Sequence, residues 1–84
     1  MADLASMKNI GERTASWLNE AGIYTPERLA EIGAVEAYRK VKRVQPGMSL
    51  VGLYALQGAI LDIHWNDLSP DMKQALRQAV EDSG

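Results

Sequence analysis

An Ile-Gly step occurs twice in this chain, 22 residues apart, and each time an alanine follows four places after the glycine. The first copy is Ile10-Gly11 with Ala15, inside a stretch running from Leu4 to Leu18. The second is Ile32-Gly33 with Ala37, preceded by Leu29. An apolar residue, a glycine and then a small residue one helical turn later suit a tight turn that opens a helix. The apolar side chain can plug a core while the small one lets a neighbouring backbone approach. The pair predicts a helical hairpin and a degenerate echo of it.

The punctuation around these steps divides the chain into about five helices. Asn9 is placed to cap the first, with Glu12 three residues on to close a capping box, and Gly22 to end it in the left-handed conformation. A short leading helix from Leu4 to Met7 would complete the hairpin. Thr25-Pro26-Glu27 opens a second helix that ends at Gly33: threonine caps, proline fills the first turn and glutamate meets the dipole. A third runs from Ala34 to about Val44 and breaks at Pro46-Gly47. Ser49 caps a fourth that is apolar nearly all round, from Leu50 to Leu61, and so is expected to be a core helix. His64 to Leu68 makes a turn, and Ser69-Pro70-Asp71 caps a fifth helix ending near Glu81. No segment sustains a period of two, so the expected fold is all-α. Residues 1–84 would form one compact domain, with its core between about 4 and 80 and a helix-hairpin-helix-like N-terminal half. Ile10, Leu18, Leu29, Ile32, Leu53, Leu56, Ile60 and Trp65 are the expected core.

Composition bounds what such a domain can do. An apolar content of 46% is that of a folded chain, yet a domain this small buries only about 60–65% of its extended surface, so its stability should be modest. With no cysteine there is neither a disulfide framework nor a thiolate metal site, which fits a reducing cytoplasm. The N-terminus has no basic-then-apolar signal pattern, and the uncharged stretch from Val44 to Leu61 carries Pro46 and three glycines, too interrupted to span a bilayer. No membrane association is expected. A net charge of −2 argues against a dedicated polyanion binder. The charge is uneven, however: residues 1–43 hold seven basic and six acidic side chains, residues 44–84 two and five. A contact surface for phosphate or an acidic partner would lie in the first half.

Two groups of residues answer that description. In the first hairpin, Gly11 would let a phosphate approach the backbone at a helix start, with Lys8 and Arg13 flanking and Asn9 able to hold a positive φ. The other reading is a tight turn whose donors are already used by the capping box. Arg39, Lys40, Lys42 and Arg43 form the basic cluster of the third helix. Arg39 shares a face with Lys42 and Arg43, while Lys40 lies to the side. Glu36 could pair with Arg39 or Lys40, leaving a solvated helix end. His64 in its Trp-Asn-Asp turn is chemically suggestive. Even so, a single histidine with no cysteine and no paired serine builds neither a nucleophile nor a usual metal set. No catalytic residue, cofactor or metal is expected. Tyr24, Tyr38 and Tyr54 are expected at packing edges, Trp65 against the last helix, and the small face of the fourth helix mostly inside. A homodimer through that face stays open.

Several stretches resemble the C-terminal domain of the TfoX (Sxy) family of bacterial DNA-transformation regulators. They are Lys8-Asn9-Ile10-Gly11, Trp17 through Ile23, Leu29 through Tyr38, Leu53-Tyr54-Ala55-Leu56, Gly58-Ala59 and His64-Trp65-Asn66-Asp67-Leu68. The resemblance implies an all-helical domain with a regulatory role in competence rather than catalysis. It also implies a protein partner, such as a separate or fused TfoX N-terminal domain or a transcription regulator. The alternative is a weak, sequence-nonspecific DNA-binding helix-hairpin-helix module that contacts phosphates through the same residues: Lys8, Asn9, Gly11, Arg13, Arg39, Lys40, Lys42 and Arg43. Salt sensitivity separates the two, because each phosphate contact steepens it.

Overall fold

The structure, a computed structural model, describes residues 3–82. A 3₁₀ turn at Leu4–Ser6 leads into α1 (Glu12–Glu20), α2 (Pro26–Val44) and α3 (Leu50–Leu61). A second 3₁₀ turn at Trp65–Asp67 precedes α4 (Pro70–Asp82), and no strand occurs among the described residues. The all-α expectation holds with a different count. The expected second and third helices abut as α2, with the expected break between them at Gly33, where φ 85 and ψ 163 are not helical. That backbone region is essentially reserved for glycine. The leading helix expected at Leu4 to Met7 is only the 3₁₀ turn.

Capping explains most boundaries and corrects two. The Thr25 hydroxyl accepts from the Arg28 amide at 3.1 Å, and the Ser69 hydroxyl from the Met72 amide at 3.1 Å. At the start of α1 the N-cap is Gly11, in extended conformation and with no side-chain bond. Asn9 is therefore not the cap, and Glu12, as the first helical residue, closes no capping box. The left-handed residue of this turn is Asn9, at φ 71, whereas Gly11 needs no special freedom. Ser49 stands at the N-cap of α3 but makes no capping bond there.

The ends of α1 and α3 are built alike. Ile23 donates to the Leu18 carbonyl at 2.8 Å and Gly22 to that of Asn19 at 3.0 Å, a Schellman closure with Gly22 left-handed at φ 88. At the end of α3, Ile63 donates to Gly58 at 2.9 Å and Asp62 to Ala59 at 3.2 Å. There an aspartate takes the left-handed place, at φ 60.

The core lies chiefly between α2 and α3 and is closed by α1 and α4. Leu18, Ile23, Leu29, Val41, Leu53 and Leu56 are fully buried. Each large apolar side chain taken out of water contributes about 1.5–3 kcal/mol, an upper figure because the unfolded chain is not fully extended. Leu4, Met48, Leu68 and Leu76 seal the edges. Ile32, Ile60 and Trp65, expected in the core, are only partly buried against it. The α3 helix is not buried all round either. Leu53, Ala55, Leu56, Gly58 and Ala59 face inward, but Leu50, Val51 and Leu61 stay exposed at 38%, 47% and 46%. A helix apolar on every face carries no pattern that says which side its neighbours cover, and here its first turn lies beside two open clefts. The small residues Ala55, Gly58 and Ala59 are spent inside the chain.

Candidate functional site

The basic end of α2 lies beside an open groove of about 520 Å³, lined by Tyr38, Arg39, Lys42, Arg43, Leu50, Val80 and Glu81. Helical spacing sets this up: 39, 42 and 43 are three and four apart and project together, and Lys40 falls outside the lining, as the spacing predicted. Its walls come from α2 and α4, with Leu50 of α3 at one end.

Two of the cations are held in place, Lys42 by neutral carbonyls and Arg39 by a carbonyl and a carboxylate. The Lys42 ammonium donates to the Pro46 carbonyl at 2.7 Å and the Met48 carbonyl at 2.6 Å, and lies 5.9 Å from the centre of the Tyr38 ring. Arg39 donates from Nη2 to the Ala79 carbonyl at 3.1 Å and from Nη1 to Glu36 at 3.4 Å. Of the two partners open to Glu36, Arg39 takes it. Carbonyl oxygens restrain the Lys42 ammonium without cancelling its charge, whereas the charge of Arg39 is partly offset by the Glu36 carboxylate. Arg43 is exposed, and Lys40 is half-buried.

The first hairpin is arranged differently. Lys8, Gly11 and Arg13 are exposed, but Asn9 turns inward. Its carboxamide donates to the Ile63 carbonyl at 2.8 Å and to that of Ala55 at 3.5 Å, while its oxygen accepts from the Trp65 amide at 3.1 Å. Its side chain is thus committed to holding the hairpin against the end of α3. No residue of this hairpin lines the basic groove. Asn9 lines instead a second cleft of about 290 Å³, with Thr14, Trp17, Met48, Val51 and Trp65 among its walls. Of the eight sequence-selected residues, Arg39, Lys42 and Arg43 line the basic groove, Lys8, Asn9, Gly11 and Arg13 belong to the hairpin, and Lys40 lies outside both.

The histidine turn is structural in geometry. His64 Nδ1 accepts from the Asn66 amide at 3.1 Å, capping the start of the 3₁₀ turn rather than the end of a helix. Trp65 stacks on His64 and on Tyr54, with ring centres 6.0 and 6.5 Å away, and the Lys73 ammonium of α4 lies 5.5 Å from its ring. The tryptophan therefore does lie against the last helix. Among the tyrosines, Tyr38 is buried and Tyr54 half-buried, but Tyr24 is 67% exposed and is not a packing edge.

Residues 1–80 match the family model of the TfoX C-terminal domain. The chain belongs to the TfoX C-terminal domain family. It is similar to the DNA transformation protein TfoX1 of Aliivibrio fischeri, with 33% identity over 81 residues; the match takes in 95% of this chain and 37% of that protein's length. Two solved structures share the fold. One, an uncharacterized protein from Listeria monocytogenes, superposes with a TM-score of 0.89 at 34% identity, covering 95% of this chain and 94% of the other. The second, a protein of unknown function from Listeria monocytogenes, gives 0.88 at 31% identity, over 96% and 99%.

Within this TfoX C-terminal domain the resemblance seen in the sequence has a structural basis. The Lys8 to Gly11 stretch, Gly58 and the His64 to Leu68 stretch meet at one junction, clamped by Asn9. What the sequence did not reveal is the apolar floor of the basic groove. Leu50 and Val80 are ordinary helix residues far apart in the chain, and no local pattern links them to Arg39. Among the described residues, no helix is long and apolar enough to cross a membrane.

Proposed function

We propose that this domain is a non-enzymatic regulatory module that acts in DNA transformation by docking on a protein partner. The carrying observation is the family match along nearly the whole chain, together with similarity to a protein named for DNA transformation. Because the domain spans 37% of that relative's length, the natural partner is the rest of such a regulator, fused or separate, or a transcription regulator that it serves. Local chemistry supports a binding role. His64 uses Nδ1 on its own turn, and the basic groove is mostly apolar with cations at its edge rather than a cluster of convergent catalytic groups. A cytoplasmic site of action suits a cysteine-free chain with this role.

The test is genetic. In-frame removal of the segment encoding this domain, in the organism that makes it, should lower transformation frequency and the transcripts of DNA-uptake genes. Unchanged values for both would overturn the reading.

A further inference from the structure

We propose that the groove between α2 and α4 is a docking site for an acidic amphipathic helix of a partner protein. Its anchors would be the apolar Tyr38, Leu50 and Val80, and its rim the cations Arg39, Lys42 and Arg43. The inference rests on the reading of this chain as a protein-docking module and adds the surface and the chemistry of what it holds.

Three features select that occupant. The first is charge: the groove presents three cations against one lining carboxylate, Glu81, and the Glu36 carboxylate paired with Arg39, which leaves an excess of positive charge on a chain whose net charge is −2. Lys42 is fixed by carbonyls that leave its charge intact and Arg43 is exposed, so a partner bearing carboxylates meets a preset potential that steers and orients it. The second is the floor. Leu50 is 38% exposed and Val80 is half-buried, while Tyr38 is buried. Apolar area left open beside a charged rim is the layout of an interface core and its surround. The third is shape. Two helices with a third helix start at one end form a channel into which a helical ridge fits. An opening of about 520 Å³ admits a few anchoring side chains.

The same features disfavour nucleic acid. A phosphate backbone has no apolar side chains to set against Leu50 and Val80.

The probe is a synthetic peptide of about 14 residues, or roughly four helical turns, made of glutamate and leucine with the leucines at alternating spacings of three and four. Titrated into the ¹⁵N-labelled domain, it should shift the amides of Tyr38, Arg43, Leu50 and Val80 saturably. A peptide with serine at the leucine positions should not. Arg43→Glu and Leu50→Ser, both at exposed positions, should each weaken binding about tenfold while the amide spectrum elsewhere stays that of the folded domain. The inference is overturned if no saturable shift occurs, if the shifts map outside the groove, if either variant binds as tightly as the parent, or if the serine peptide binds equally well. It is overturned too if duplex DNA moves these amides and the acidic peptide does not. The two readings fail separately. Loss of transformation on deleting the domain, with no peptide binding, removes the groove alone. Peptide binding with a silent deletion removes the role in transformation and leaves the surface.

Discussion

Gly58 faces Asn9 across the junction between α3 and the N-terminal turn: a Cβ on Gly58 would lie 2.5 Å from Asn9 Nδ2, 2.8 Å from the Ile63 carbonyl oxygen and 3.2 Å from the Trp65 Cα. The missing side chain is what lets the Asn9 carboxamide bridge Ile63 and Trp65. Two of the three crowded atoms are backbone and cannot swing aside.

Gly58→Ala should therefore destabilise the domain although alanine favours helix. Overpacking of this kind costs about 1–3 kcal/mol, and each kcal/mol moves the midpoint of a domain this size by about 4–8 °C. Thermal unfolding followed by circular dichroism measures it. A midpoint equal to that of the parent would show that the junction is not as tight as this geometry requires.

Asn9 can be dissected by two substitutions. Asn9→Gly keeps the positive φ easy and removes the carboxamide; Asn9→Ala removes the carboxamide and adds backbone strain. Leaving the half-buried Trp65 amide and Ile63 carbonyl without their partner should cost about 1–3 kcal/mol in both variants. The alanine variant should lose about 1 kcal/mol more for the left-handed backbone. Equal stabilities for the two variants would reject the strain component.

The two glycines of the repeated Ile-Gly step should behave differently. Gly33, at φ 85 and ψ 163, has open space around a Cβ, so Gly33→Ala meets no clash but pays for its backbone, about 1–3 kcal/mol. Gly11 is extended and also has open space. Gly11→Ser should be neutral or stabilise by a few tenths of a kcal/mol as a better N-cap. Urea unfolding of both variants gives the comparison. A Gly33→Ala protein as stable as the parent would mean that α2 straightens without loss.

Asp62 ends α3 in the left-handed conformation and places a carboxylate near the negative end of the helix. Asp62→Gly relieves both, against a greater loss of unfolded-chain entropy. It should raise stability by about 0.5–1 kcal/mol. Calorimetry showing a lower melting temperature would contradict this account of the helix end.

Much of the N-terminal half was legible because its signals are local. Thr25-Pro26-Glu27 opens a helix and Gly22 closes one through groups only a few residues apart, and both read correctly. Asn9 read incorrectly for the opposite reason. Its partners, Ile63 and Trp65, lie 54 and 56 residues away, and a side chain with a remote, better-shielded set of partners abandons the cap that its neighbours suggest. The basic cluster was visible as charges at helical spacing, so Arg39, Lys42 and Arg43 emerged together. The groove they border was not.

By itself, the sequence determined the helical class, nearly every helix end and the residues whose spacing places positive charge on one face, because those follow from hydrogen bonds and periodicities within a turn or two. Only the tertiary structure decided that Asn9 holds the hairpin against α3 and that Leu50 and Val80 meet Arg39 around an open groove. Each of these depends on which surfaces of uniformly apolar or small-residue helices are covered, and that is settled by packing among distant segments.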